Sequence, residues 1–281
     1  MEITLVIVIF ITVLAVFLYL QNNIIDITKY SIKSDSVNGR FKIVQLSDLH
    51  SKPFKKILKK LDEIHPDIIV ITGDYINDKG KNLDKMIDFA GELVSRAPVY
   101  YITGNHERRL KNFDSVMQNL KDAGFIVLLD DIAQVSVNGS NISLLGLDEN
   151  MADFSDYKAR RNGTFEYRDM SGYFEKLSKN QGFKIVLSHF PENFEKINEL
   201  YYAQYDFDLQ LSGHAHGGQF ILPIIGPVFS PGQGIFPKYA RGSFGERPML
   251  IVSRGLGNAE FPFRYFNHPE INVITVSPKI K

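Results

Sequence analysis

The hydrophobic pattern divides the chain into an apolar terminus, a polar connection and a long patterned body. Residues 3–20 carry no charge and are interrupted only by Thr4 and Thr12. As a helix this run spans roughly 27 Å, close to the thickness of a bilayer's hydrocarbon core. No Lys or Arg precedes it and no small-residue cleavage site follows, which favours an uncleaved anchor over a signal peptide. The run is apolar on every side, unlike a helix with one face on a core. Residues 1–22 are therefore expected to anchor the chain in a membrane by a single N-terminal pass. Residues 23–40 are expected to link, with room for one edge strand, and 41–281 to form the main domain. Lys29, Lys33 and Arg40 follow the span, so the positive-inside tendency points to a cytoplasmic domain. Three charges at that distance leave the face of the membrane open.

The body alternates in period. Residues 41–46 read as a strand, and 55–64 place Ile57, Leu58, Leu61 and Ile64 on one helical face. Pro66 ends that helix. The apolar run 67–72 fits a buried strand, and 83–94 a second helix. A strand over 98–103, a helix over 113–123 and a strand over 126–129 follow. This β-α-β-α-β-α-β order predicts a mostly parallel sheet with helices on its faces. From residue 132 the pattern becomes a hairpin turning at Asn138-Gly139. Residues 151–179 are charged and irregular, consistent with loop and helix at a rim. Then 183–188 reads as a strand, 192–200 as a helix and 207–212 as a strand. Residues 220–247 form a long loop rich in Pro, Gly and Phe, before strands at 249–253 and 271–276.

Composition narrows the chemistry. The 281 residues balance 32 basic against 32 acidic groups, without the basic excess of a nucleic-acid groove. There is no cysteine, so any metal must be held by nitrogen and oxygen.

The stretch Gly213-His214-Ala215-His216-Gly217-Gly218-Gln219 follows the strand over 207–212. On an extended backbone its two histidines point the same way. Five of the seven histidines (His50, His106, His189, His214 and His216) lie at predicted strand ends, as do Asp48, Asp74 and Asn105. In an open α/β sheet, groups at the carboxyl ends of strands converge on one crevice. Two carboxylates, a carboxamide and several imidazoles suit Mn, Fe, Zn or similar ions. They are too many for one four-coordinate structural zinc, so two adjacent ions sharing a bridging carboxylate are expected.

The series Asp48-x-His50, Gly73-Asp74, Gly104-Asn105-His106-Glu107, His189 and Gly213-His214-Ala215-His216 resembles the calcineurin-like metallophosphoesterase superfamily. All five blocks occur in the family's order over about residues 41–220. Gly217-Gly218-Gln219, Lys238-Tyr239-Ala240-Arg241-Gly242 and Ser253-Arg254-Gly255-Leu256-Gly257 look like a membrane-associated bacterial branch. The resemblance implies a four-layer αββα sandwich, here with an N-terminal transmembrane helix. It also implies a dinuclear metal-dependent phosphohydrolase. Asp48, His50, Asp74 and His216 would hold one divalent ion. Asp74, Asn105, His189 and His214 would hold the other. His106 would meet the leaving-group oxygen. In many relatives an aspartate three residues after the bridging one orients this histidine; here that position is Asn77, and Asp78 comes one later. Glu107 stands where many members have Asp.

The remaining features are read more plainly. His65 before Pro66 and His268 in Asn-His-Pro read as structural or surface residues. The aromatic run Phe261, Phe263, Tyr265 and Phe266 reads as core or edge packing. Ile221, Leu222, Ile224, Ile225, Val228, Phe229, Ile235 and Phe236 crowd the loop beside the histidines. Either that loop packs on the sheet edge, or it meets lipid or the acyl part of a substrate. Lys238, Tyr239 and Arg241 are candidates to contact a phosphate. The expected function is hydrolysis of a lipid-linked or cell-envelope phosphodiester or a pyrophosphate at a membrane. A tethered phosphatase for soluble phosphoproteins or nucleotides is the alternative, and a non-catalytic scaffold a remote one.

Overall fold

A computed structural model describes residues 2–53, 55–149, 168–195, 201–258 and 261–279. Helix α1 (Glu2–Asn23) leads within two residues into β1 (Asp26–Ser34). The first half then runs β2 (Phe41–Leu46), α2 (Lys55–Ile64), β3 (Ile68–Thr72), α3 (Leu83–Val94), β4 (Val99–Ile102), α4 (Phe113–Asp122) and β5 (Ile126–Val127). The second half runs β6 (Asp131–Val137), β7 (Ser140–Gly146), α5 (Ser171–Ser178), β8 (Phe183–Leu187) and β9 (Leu209–Ser212). Two small hairpins follow, β10 (Ile221–Leu222) with β11 (Gly226–Pro227), and β12 (Phe229–Ser230) with β13 (Gly234–Ile235). The strands β14 (Gly242–Phe244), β15 (Met249–Val252) and β16 (Glu270–Pro278) complete the chain.

Two six-stranded sheets result, in the orders β1-β16-β2-β3-β4-β5 and β14-β15-β9-β8-β7-β6. Strands β2 to β5 are parallel, as are β7, β8, β9 and β15. The alternation of side chains along each strand divides the core into three. Val44, Leu46, Ile69 and Ile71 face the apolar stripes of α2, α3 and α4, including Leu61, Phe89 and Leu120. Ile43, Val70, Leu144, Ile185 and Leu211 meet between the sheets. Val186, Leu250 and Val252 are covered by Phe174 and Leu177 of α5 and by Phe190, Phe194 and Tyr202. The expected four-layer αββα sandwich is the fold. Between the sheets the Phe183 ring sits edge-on to Phe41, 6.0 Å between centroids. Phe183→Ala is expected to cost about 3–5 kcal/mol of stability, read by urea denaturation, because a cavity there cannot be closed by either sheet.

The edge strand for which the linking segment left room is β1: residues 26–34 pair with β16 along nine residues at the sheet's edge. From Thr28 to Lys33 only alternate residues are partly covered, which weakens its hydrophobic signal, and Lys29 and Lys33 keep that edge from further pairing. Of the helix expected at 192–200, the described part forms a 3-10 turn, Pro191–Phe194, and residues 196–200 lie outside the described residues. Of the irregular segment 151–179, α5 is described and 151–167 lie outside the described residues. The hairpin is as expected, with Asn138 and Gly139 both at positive φ.

Candidate metal centre

The loops after β2, β3, β4, β8 and β9 meet at the carboxyl ends of the parallel strands, where the two sheets face each other. They bring Asp48, His50, Asp74, Asn105, His106, His189, His214 and His216 to one crevice. Asp48, His50, Asp74, His214 and His216 all adopt φ between 47 and 65°. The left-handed region is unfavourable for most residues but least so for Asp, Asn and His. These five residues coil the loops after β2, β3 and β9 tightly, so that their side chains aim inward. Close approach also demands small neighbours. A Cβ on Gly104 would collide with the Asp74 carboxylate, and one on Gly213 with Ser47 Oγ.

Asp74 is the centre of the arrangement. Its Oδ2 lies 3.5 Å from His189 Nε2, 3.8 Å from His50 Nε2 and 3.9 Å from His106 Nε2. Its Oδ1 accepts the backbone N–H of His106 at 2.9 Å. His189 approaches Asn105 Oδ1 at 3.2 Å through Nε2. Its Nδ1 is 2.8 Å from Thr72 O and donates there, which leaves Nε2 as the ligating nitrogen. On the other side His216 Nε2 lies 3.4 Å from Asp48 Oδ1 and 3.1 Å from His50 Nε2. The extended reading of His214-Ala215-His216 is corrected here. With both histidines at positive φ, the imidazoles part company. His216 stacks on His50 and His214 meets His189 edge-on, each at 5.0 Å.

The electrostatics fit cations of charge two. Burial pushes Asp48 up to about 7, with the Asp74 charge adding to it. Burial also works against charge on Asp74, yet His189, His106 and His50 hold it well below the usual carboxylate range. His50 is pulled down to about 4 and His216 well below the usual imidazole range, both chiefly by burial, which favours their neutral, ligating forms. Burial disfavours a charged His189, but the Asp74 carboxylate outweighs it, up to about 10. Asp48 with His50 and His216, and Asp48 with Asp74 and His189, each cluster tightly enough to hold an ion. His216 Nδ1 is buried without a hydrogen-bond partner among the described residues.

Sequence reasoning missed several supports. Glu107, fully buried, accepts the backbone N–H groups of Asp74, Ile76 and Gly104 and so ties the β3 loop to the β4 loop. Its place in the Gly-Asn-His-Glu block was the available signal. Glu149 does the same for the β8 loop, accepting from Ser188, Phe190, Asn193 and Tyr202. The buried Arg264 guanidinium donates to the carbonyls of Gly255, Gly257 and Asn267. That loop in turn donates the Leu256 and Gly257 N–H groups to Ser47 and Asp48 carbonyls, which backs the β2 loop. No local pattern marks Arg264. The question at Asn77 and Asp78 also resolves. Asn77 caps its own turn by accepting from Lys79 and Lys81, whereas the Asp78 N–H donates to His106 Nδ1 at 3.3 Å. Asp78 Oδ1 lies 3.7 Å from the same nitrogen, and Nε2 faces Asp74.

A cavity of about 160 Å³ opens over the cluster, walled by Asp74, Asn105, His106, His214 and His216 and rimmed by Arg109, Phe229, Pro231 and Phe261. Lys238, Tyr239 and Arg241 are not part of it. Lys238 and Tyr239 both bond Glu195 at 2.5 Å, and Arg241 is exposed elsewhere. A carboxylate more than forty residues away, invisible to local reading, bonds two of the three groups expected to meet phosphate. The aromatic run is edge packing rather than core: Phe261 packs on Phe220 and Phe266 on Tyr265, while Phe261, Phe263 and Phe266 stay exposed, as do Ile224, Ile225, Phe229, Ile235 and Phe236 of the loop. His268 pairs with Asp26 and His65 is an exposed helix end.

Known proteins agree with this geometry. A metallophosphoesterase of Bacillus subtilis, YkuE, is 31% identical over 92% of this chain and 87% of its own. The phosphodiesterase YaeI of Escherichia coli is 26% identical over 83% of this chain and 81% of its own. A zebrafish (Danio rerio) transmembrane protein with a metallophosphoesterase domain is 27% identical over 86% of this chain and 54% of its own. The profile of the calcineurin-like phosphoesterases matches residues 41–218, from the first strand of the body to the His-Ala-His turn, and the chain belongs to that family of metal-dependent phosphoesterases.

Proposed function

We propose that this chain is a membrane-anchored phosphodiesterase with two divalent ions of the Mn, Fe or Zn class. Asp48, His50, Asp74 and His216 hold one ion; Asp74, Asn105, His189 and His214 hold the other. The observation that carries the reading is Asp74, whose single carboxylate faces imidazoles from the β2, β4 and β8 loops. When bound, the ions supply Lewis-acid charge for the phosphoryl oxygens and lower the pKa of water. The chain's own residues do the rest. Protonated His106, with Nδ1 3.7 Å from Asp78 Oδ1, gives its Nε2 proton to the leaving oxygen and is left neutral. Arg109 at the cavity mouth meets the anionic substrate. The printed name of the Escherichia coli relative supports a diester, and that of the zebrafish relative supports an anchor. Residues 1–22 are the anchor, and β1 joins residues 41–281 in one catalytic domain. The substrate is a phosphodiester or pyrophosphate carried on a lipid or in the cell envelope.

The test uses the full chain in detergent with bis-p-nitrophenyl phosphate. Chelation is expected to abolish hydrolysis, and Mn to restore it as bound metal reaches two ions per chain. Hydrolysis that survives complete metal removal would sink the reading.

A further inference from the structure

Helix α1 does not stand apart from the rest of the chain. The Phe17 ring contacts Tyr265 at 5.5 Å and Phe266 at 5.4 Å. A groove between α1 and the domain is lined by Leu14 and Leu18 on one side and by Lys52, Pro262 and Phe263 on the other. Only Ile24 and Ile25 separate α1 from β1. Phe17 lies six residues before the end of α1, roughly 9 Å along a helix axis. Side chains that touch Phe17 therefore sit about 9 Å inside that end of the helix. If α1 crosses a bilayer to its C-terminal end, this part of the domain is immersed. Its surface suits immersion: Phe263 and Phe266 are exposed and apolar. So is the β10–β11 tip, where Ile224 projects fully from a backbone with φ 70°. That conformation is rare for a β-branched residue. Flanking cations follow: Lys52, Lys55, Lys56 and Lys59 are exposed, and Lys56 Nζ lies 3.5 Å from the Asn23 carbonyl at the end of α1. Aromatic groups beside a basic fringe are the composition of an interface with anionic lipid.

We infer that the apolar rim of residues 220–236 and 261–266 is a second membrane contact, which sets the mouth of the metal centre on the bilayer surface. Phe229 and Phe261 belong both to that rim and to the cavity mouth, so a lipid-borne phosphoester enters without leaving the membrane. The inference rests on the anchoring just proposed and deepens it.

The chain contains no tryptophan, which gives a clean test. Single variants Ile224→Trp, Phe263→Trp, Leu14→Trp and Lys179→Trp of the full chain are reconstituted into phosphatidylethanolamine and phosphatidylglycerol vesicles, with and without brominated acyl chains. Circular dichroism confirms that each is folded. Fluorescence of Ile224→Trp and Phe263→Trp is expected to be lost in brominated vesicles to the extent seen for Leu14→Trp, while Lys179→Trp is unaffected. Quenching of Leu14→Trp alone overturns the second contact and leaves the anchor standing. No quenching even of Leu14→Trp removes the anchor and the inference together. Equal quenching of Lys179→Trp overturns the assignment of this face.

Discussion

Asp74→Asn is expected to lower kcat/KM for bis-p-nitrophenyl phosphate by about 10³-fold or more, with bound metal falling below two ions per chain. Removing a single preorganised charge-stabilising group costs on the order of 10²–10³ in rate, and in the proposed centre one carboxylate would serve two ions. A factor of 10³ corresponds to about 4 kcal/mol of lost transition-state stabilisation. The substitution is conservative in shape. Asparagine retains an Oδ1 able to accept the His106 N–H, so the loops remain tied. Its charge is what disappears, and with it the partner of His189, His106 and His50. An unaltered rate with two ions still bound would remove Asp74 from the centre of the mechanism. Parallel metal analysis and denaturation separate loss of the site from loss of the fold.

His106→Asn is expected to behave differently. Metal content should hold at two ions, because His106 is assigned to neither ligand set. Turnover should fall about 10²–10⁴-fold, the range attributed to a positioned general acid. The size of the loss is diagnostic. A nitrophenolate leaves readily without a proton, so bis-p-nitrophenyl phosphate should lie at the lower end. An alkyl diester, whose leaving alkoxide needs a proton, should lie at the upper end. Equal losses on both substrates, accompanied by loss of one ion, would make His106 a ligand instead. The cluster it forms with His50 and Asp74 makes that outcome concrete.

Much of the fold can be read from the sequence because burial is periodic. The two-faced helices over 55–64 and 83–94 and the apolar strands over 41–46 and 183–187 carry strong patterns, and the structure places them at nearly the expected bounds. β1 is legible only as room for an edge strand, because such a strand buries little: Lys29, Ser31 and Lys33 do not fix its bounds or partner until β16 is beside them. The convergence of Asp48, His50, Asp74, Asn105, His106, His189, His214 and His216 is legible because all follow strands of one direction. The conformation of the turns that hold them is not. Left-handed backbone at Asp48, His50, Asp74, His214 and His216 is imposed by ties such as His50 N–H to the Asp74 carbonyl at 2.9 Å, made between distant segments. The same limit explains Lys238 and Tyr239, whose partner Glu195 comes from another loop. It also explains Phe263 and Phe266: hydrophobicity alone does not say whether a ring faces a core, a helix or lipid.

The two-residue junction between α1 and β1 fixes how this enzyme can search. A catalytic domain on a flexible tether samples a volume whose radius grows with linker length, and meets substrates dissolved in it. With Ile24 and Ile25 as the whole connection, that volume collapses. With α1 as the proposed membrane anchor, the active site would move as α1 moves, by diffusion in a plane. Encounter rates for the proposed lipid-borne substrate would then be set by its surface density in the bilayer rather than by a bulk concentration. Lengthening the junction with a flexible insert would exchange one kind of search for the other without touching a residue of the metal centre.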